Sequence, residues 1–196
     1  MYELIILSLL MRFPSHGYLI AKIANDMVGP WTKISNGTLY PLLTRLEQTG
    51  LITRASNELD MKKNTRPEQQ GRTFMITDEG RKRFHEVMMD TTSNIGEYQR
   101  LFHLKVAFLD LLSPSDSLHL LNHYLNYCQA CILHMKTHSE NLVHELAEQQ
   151  SAWPQFLHLA VNTMQQRART WQSEVDWTMQ LREQLVALIE QAPSNE

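Results

Sequence analysis

The feature that most constrains this chain is a short helical segment that ends on a glycine and leads directly into a β-prone stretch. Its apolar side chains recur at helical spacing, so one face of the helix is committed to a core. They are Leu39, Leu42, Leu43 and Leu46. Gly50 suits the left-handed residue that ends a helix, and residues 51–54 then have the composition of a strand. Because Pro41 clashes with the carbonyl four residues earlier, the helix is predicted to begin between Ser35 and Thr38.

The opposite face of this helix carries polar and flat side chains. Tyr40, Thr44 and Arg45 point away from the leucine stripe, and such side chains contact bases and phosphates in DNA recognition helices. Two structural alternatives remain open at this stage. Tyr40 could fill the core at the start of the helix, and Arg45 could pair with Glu47 or a neighbouring acid. The exposed placement predicted by the leucine spacing favours DNA contact for both residues.

A second β-prone stretch, residues 71–76, predicts the return strand of a hairpin. Thr77 follows as the N-cap of a new helix, with acidic residues in its first turn where the helix dipole favours them. The intervening residues 56–70 are almost wholly polar and carry Lys62, Lys63 and Arg66. A cationic hairpin tip of this kind suits phosphate oxygens, although many such charge runs are simply solvated.

Two amphipathic helices are predicted upstream, one ending near Arg12 and one ending at Gly29 and Pro30. The predicted order is therefore helix, helix, helix, strand, strand, helix, which is a winged helix-turn-helix with a two-stranded wing. The fold class is mainly α, with a helical dimerisation domain after the winged domain. The candidate DNA-binding residues are Ser35, Asn36, Thr38, Tyr40, Pro41, Thr44, Arg45, Lys62, Lys63, Arg66 and Arg72.

Charge is distributed unevenly along the chain. Up to Arg83 there are 12 lysines or arginines against 8 acidic residues, whereas the remainder has 6 against 13. The net charge of −3 hides this asymmetry. The basic half is expected to face a polyanion, and because its excess is modest, binding should need two subunits and should weaken with salt.

The second half contains the longest periodic signal. From Leu118 to Leu146 apolar positions alternate spacings of three and four, which is the seam of helix-on-helix packing. A long final helix is also amphipathic. Because two long amphipathic helices cannot bury both faces within one small subunit, we predict a dimer interface here. Its candidate residues are Leu118, Leu121, Leu125, Cys128, Ile132, Met135, Leu142, Trp171 and Val175.

These motifs together resemble the PadR family of transcriptional regulators, over nearly the whole chain. The residues that carry the resemblance are Ile6 to Leu10, His16, Gly17, Tyr18, Gly37 to Leu43, Arg45, Leu46, Glu47, Gly50 to Ile52, Gly71, Arg72, Phe74, Ile76, Thr77 and Gly80. The later helices resemble the helical C-terminal domain of the family's longer members. The wing loop is longer than is common in the family, which is where this chain departs from the family's pattern.

The resemblance implies a homodimeric regulator, usually a repressor, that binds a palindromic operator in double-stranded DNA. It also implies release of DNA by a small-molecule inducer, for which phenolic acids are one known class. It places Tyr18, Tyr124 and His158 near a domain junction, where they could hold an aromatic acid, although structural roles were the simpler interpretation of each.

Three other functions were weighed. Cys128 and Cys131 precede His134 and His138 at helical spacing, which could serve a metal- or redox-sensing regulator, but a buried cysteine in an apolar seam is the simpler interpretation. Winged helices also act as protein-interaction modules without an operator of their own. No catalytic motif appears, so we expect neither an enzyme nor a cofactor.

The predicted domains are a DNA-binding domain at 1–92, a helical dimerisation and effector-response domain at 93–192, and a disordered tail at 193–196. No apolar run is long enough to span a membrane, and no signal peptide is evident. With only two cysteines, a cytoplasmic location is expected.

Overall fold

A computed structural model describes residues 1–28, 34–55, 73–92, 97–147 and 154–191. The chain divides into two compact units, Met1–Leu112 and Ser113–Glu196. None of the described helices is both long enough and apolar enough to cross a lipid bilayer. The predicted tail at 193–196 lies outside the described residues.

The first unit is a winged helix-turn-helix. Its helices are α1 (Tyr2–Arg12), α2 (Gly17–Val28), α3 (Asn36–Gln48), α4 (Asp78–Met89) and α5 (Tyr98–Val106), with a short 3-10 turn at Leu109–Leu111. Helix α1 is buried along nearly its whole length, from Leu4 to Leu10, and is the centre of the core. The helix order and the bounds of α1 and α3 confirm the sequence-based predictions.

A small antiparallel sheet closes this unit. Strands β2 (Ile52–Arg54) and β3 (Thr73–Ile76) are the two predicted wing strands. A third strand, β1 (Ser15–His16), pairs with the other edge of β3. The sequence-based prediction of a two-stranded wing did not include this strand. A strand of two residues is too short to show a hydrophobic periodicity in the sequence. Its pairing with β3 is reinforced by a hydrogen bond between the His16 ring nitrogen and the Thr73 hydroxyl, which are 2.9 Å apart.

Thr77 joins the wing to α4. Its hydroxyl accepts a hydrogen bond from the amide of Gly80 at 3.0 Å, as predicted for an N-cap, and lies 2.6 Å from the carbonyl of Gly50. Gly80 lies so close to β2 that a Cβ there would overlap the carbonyl oxygen of Leu51. Gly50 has a φ of 73°, which confirms the predicted left-handed residue after α3.

The first unit extends to Leu112, beyond the boundary expected at 92/93. Helix α5 belongs to it because its side chains, including Phe102 and Leu104, are buried. The amine of Lys105 donates to the carbonyl of Asp90 at 2.6 Å, at the C-terminal end of α4. Burial lowers the pKa of Lys105 to about 8, against a smaller opposing effect from Asp90.

The second unit is a hairpin of two long helices, α6 (Pro114–Ala147) and α7 (Pro154–Gln191). The hydroxyl of Ser113 accepts a hydrogen bond from the amide of Asp116 at 3.1 Å and so caps the start of α6. Tyr124 donates to Glu174 at 2.9 Å, and the rings of Tyr127 and Trp171 meet edge to face at 5.5 Å. The residue numbers of the contacts on α7 therefore decrease as those on α6 increase, so the two helices run antiparallel.

This hairpin corrects the expectation that the α6 seam needs a second chain to be buried. Several seam residues are already buried within the single chain, because α7 packs on the same face of α6. They are Leu121, Leu125, Cys128, Ile132 and Val175. Leu118, Met135, Leu142 and Trp171 keep intermediate exposure.

Candidate nucleic-acid interface

Helix α3 begins at Asn36 with Ser35 as its N-cap, inside the predicted interval. Pro41 is the sixth residue of the helix and leaves the carbonyl of Gly37 without its usual amide donor. Since Gly37 is exposed, water can hydrate that carbonyl. The side chain of Ser35 does not cap the first turn, so among the described residues the amides at the N-terminus of α3 are open to an anion.

The predicted contact residues of α3 are all exposed and lie on one helix. They are Ser35, Asn36, Thr38, Tyr40, Pro41, Thr44 and Arg45. The buried residues of the same helix are Leu39, Leu43 and Leu46. The helix therefore presents hydroxyls, an amide and a guanidinium together on its solvent side, which is the chemistry that contacts phosphates and base edges.

Arg45 makes no ion pair within the described part of the chain. The acid nearest in sequence, Glu47, is instead paired with Arg54 of β2 at 2.7 Å. This pair lies between α3 and the wing and removes the structural alternative in which Glu47 neutralises Arg45. The guanidinium of Arg45 remains available for a phosphate or a guanine, each of which it can bind through two donors.

Tyr40 combines the two roles that the sequence left open. Its ring packs over Gly17 at the start of α2, where an added Cβ would lie 3.2 Å from Cε1 and 3.5 Å from the hydroxyl. The residue is nevertheless 48% exposed. Tyr40 therefore helps to hold α2 against α3 and still offers its hydroxyl to a ligand.

Asn25 is a positioning residue that sequence reasoning missed. Its side-chain oxygen accepts from the amide of Ile34 at 2.5 Å, and its amide group faces the Ile34 carbonyl at 3.4 Å. These bonds fix the residue just before α3 to α2 and so set the start of the recognition helix. The only sequence signal is a polar residue next to the apolar face of α2.

The predicted cations of the wing, Lys62, Lys63, Arg66 and Arg72, lie outside the described residues. The strands at the base of the wing are described, and Arg54 is half exposed there. It adds a basic side chain that the sequence analysis did not include.

The three predicted effector residues have different environments. Tyr18 is 76% exposed in the first unit, and His158 is exposed on α7. Tyr124 is fully buried and its hydroxyl is bonded to Glu174; burial raises its pKa above the usual value. Tyr124 therefore contributes to the packing of the α6–α7 hairpin.

The cysteine pair is poorly suited to thiolate chemistry. Burial raises the pKa of Cys128 to about 12 and also raises that of Cys131, so both thiols stay protonated near neutral pH. The rings of His134 and His138 are 4.3 Å apart. Among the described residues, no three histidine, cysteine or acidic side chains converge as a metal site.

A groove lies between α6 and α7 in the second unit, with a volume of about 690 Å³. We call it the hairpin groove. Its lining residues are Ile132, Met135, Lys136, Ser139, Glu140, Gln165, Ala168, Arg169 and Gln172. It lies entirely within one unit, and its size is that of a small-molecule site.

Comparisons with known proteins give a family match for the first part of the chain and similarities to several solved structures. Residues 6–86 match the model of the transcriptional regulator PadR-like family. Among solved structures, the chain is similar to Bacillus subtilis PadR in complex with operator DNA, at 19% identity, with 93% of this chain and 96% of that chain covered and a TM-score of 0.38. The same protein in complex with p-coumaric acid is 18% identical, with coverage of 93% and 97% and a TM-score of 0.36.

The Vibrio cholerae virulence activator AphA is 17% identical, with coverage of 96% and 99% and a TM-score of 0.36. No curated protein matches the chain. The family match covers α3, both wing strands and most of α4, the elements that carry the exposed recognition face. Residues 6–86, the part of the chain that contains the recognition helix and the wing strands, are therefore similar to the PadR-like family of transcriptional regulators.

Proposed function

We propose that this protein is a ligand-responsive repressor whose homodimer binds a palindromic operator through α3. The observation that carries the DNA-binding part is the exposed guanidinium of Arg45, which forms no ion pair within the described residues because Glu47 is paired with Arg54. In a dimer, two such helices would enter successive major grooves, about one helical turn apart.

The DNA contact can be tested by replacing Arg45 with alanine. If Arg45 binds a base, operator affinity should fall by about 1 to 3 kcal/mol. Arg182→Ala, on the exposed side of α7, is a matched control because it removes the same charge outside the winged domain. Affinity for operator fragments should be measured at two salt concentrations, since phosphate binding gives a steep slope. Equal affinity of the Arg45 variant and wild type would contradict the assignment.

The proposal of a homodimer is supported by the apolar surface that the hairpin leaves uncovered. Leu133, Phe156 and Leu159 are 67%, 68% and 70% exposed, and Val143 is 48% exposed. Their contact with a second copy would remove this surface from water, which is the main driving force of association. Sedimentation of wild type and Leu159→Asp would test this interface, and a variant that remains dimeric at the same concentration would exclude Leu159.

The proposed output is repression that a small molecule relieves. Its support is the similarity of residues 6–86 to the PadR-like family and the presence of a groove of small-molecule size in the second unit. A related protein has been solved with p-coumaric acid, which makes a phenolic acid a reasonable first ligand to test here. Tyr18 and His158 remain candidate contacts because both are exposed. Transcription from the operator in the presence and absence of the protein would distinguish a repressor from an activator.

A further inference from the structure

His134 and His138 lie one turn apart on the same side of α6. Their ring centroids are 4.3 Å apart, with 63° between the ring planes, and both residues are exposed. Residues four apart on a helix are neighbours on its surface, which explains why the two rings meet. Within the described residues neither ring has a hydrogen bond or an ion pair. Each neutral imidazole therefore keeps one nitrogen lone pair open to a solute.

The charged side chains that flank this pair belong to another side of the helix. Lys136 lies two residues from each histidine, and residues two apart on a helix do not face each other. Lys136 and Glu140 line the hairpin groove, whereas neither histidine does. A cation held between the two rings therefore does not face the lysine that is nearest in the sequence.

Two other polar side chains share the stripe of α6 that carries the histidines. Asn141 is exposed three residues after His138, and its amide oxygen can accept a hydrogen bond from water on a bound ion. Cys131, three residues before His134, is half-buried, and burial raises the pKa of its thiol. Because the thiolate and not the thiol is the metal ligand, the two imidazoles are the metal-binding groups of this stripe.

The same spacing occurs a second time on α6, at His119 and His123, in a different environment. His119 is exposed, but His123 is half-buried and already has an interaction partner. A spacing of four residues is therefore not sufficient by itself. The exposure and the ring contact of His134 and His138 distinguish their pair.

We propose that His134 and His138 bind a divalent transition metal ion through one nitrogen of each imidazole, with water in the remaining coordination positions. Two histidines four residues apart on one helix face are an arrangement that binds Zn²⁺ in helical metal sites. Imidazole suits Zn²⁺, Ni²⁺ and Cu²⁺, whereas Ca²⁺ and Mg²⁺ take oxygen ligands. The ion links two successive turns of α6, and the unfolded chain has no such preformed pair, so binding stabilises the hairpin.

The test is calorimetric titration of the untagged full-length protein with Ni²⁺, which binds imidazole and does not oxidise the thiols. Wild type should bind the ion, and His134→Gln and His138→Gln should each weaken binding by more than about 10-fold, because even the loss of a group that orients a metal ligand costs about 10- to 100-fold. His85→Gln is the matched control. His85 is exposed on α4 and has no histidine, cysteine or acidic residue three or four positions away.

Two further measurements separate coordination by the pair from an indirect effect of either substitution. Paramagnetic Ni²⁺ should broaden the imidazole C–H NMR signals of two histidines, and these should be the signals that are missing from the spectra of the two variants. The ion should also raise the urea midpoint of wild type and of His85→Gln but not that of His134→Gln or His138→Gln. Helicity should be unchanged in all variants, because the substituted side chains are exposed.

Three results would each overturn the proposal. The first is no binding of Ni²⁺ at millimolar concentration. The second is an affinity of either His134→Gln or His138→Gln equal to that of wild type, since the site requires both rings. The third is broadening confined to His119 and His123, which would place the ion at the other pair. The proposal does not depend on the proposed function, because metal binding is measured without DNA.

Discussion

Replacing Gly80 with alanine should destabilise the first unit much more than the same replacement at Gly50. At Gly80 an added Cβ would overlap the carbonyl oxygen of Leu51 and lie 2.7 Å from Cγ1 of Ile76. Relief requires α4 to move away from β2, which strains the packing by about 1 to 3 kcal/mol. That movement also weakens the hydrogen bonds around Thr77, at about 1 kcal/mol each. The total expected loss is about 3 to 5 kcal/mol.

Gly50 provides the matched control because its cost has a different origin. Its φ of 73° disfavours any side chain, but a Cβ there meets no atom within 4 Å. The expected loss is therefore about 1 to 2 kcal/mol, the cost of placing an L-residue in the left-handed region. Gly37→Ala, at an exposed position in the first turn of α3, should be neutral or stabilising by about 0.5 to 1 kcal/mol.

The measurement is urea unfolding followed by far-UV circular dichroism, at one fixed protein concentration because a dimer's stability depends on concentration. The expected order of stability is Gly37→Ala, wild type, Gly50→Ala and Gly80→Ala. If Gly80→Ala unfolds within about 1 kcal/mol of wild type, below the cost expected for overpacking, the close approach of α4 to β2 is not a constraint. The explanation given for that glycine would then be wrong.

Three further predictions concern other parts of the fold. The pKa of Lys105 is about 8 in the folded chain, against an ordinary 10.5, so between these pH values the unfolded chain holds a proton that the folded chain lacks. Wild type should therefore gain unfolding free energy relative to Lys105→Met as pH rises from about 8 to 10.5, and parallel pH profiles in urea titrations would contradict this. Leu125→Asp should unfold the hairpin, because Leu125 is buried against the same chain, whereas Leu159→Asp should leave helicity intact and weaken association; circular dichroism and sedimentation on the two variants distinguish these effects. Asn25→Ala should reduce operator affinity more than it reduces stability, since Asn25 fixes the start of α3; an equal loss in both measurements would show a purely structural role.

Local signals in the sequence were enough to predict much of the winged domain. A leucine stripe, a glycine and a threonine cap each act within a few residues, so α3, Gly50 and the Thr77 cap lie where the sequence places them. Strand β1 could not be predicted in this way, because its two residues are held by pairing with β3, far away in the sequence. The same applies to Asn25, whose importance depends on where Ile34 lies in space.

The second unit shows a different limit of sequence reasoning. The periodicity of α6 correctly identified which face is buried, but a period says nothing about what covers that face. Helix α7 of the same chain covers much of this face, so Leu121 and Cys128 are fully buried without a second copy of the chain.

The candidate DNA-binding site depends on a choice between two possible ion pairs. Glu47 is two residues from Arg45 in the sequence, but side chains two residues apart on a helix do not face each other. Arg54, seven residues away on β2, reaches Glu47 at 2.7 Å because Gly50 turns the chain back at the end of α3. The turn that positions the wing thus also gives Glu47 a cationic partner, while Arg45 forms no ion pair within the described residues. Replacing Glu47 with glutamine removes the ion pair with Arg54 and should therefore affect the position of the wing more than it affects Arg45. Operator affinity should change less than it does in Arg45→Ala.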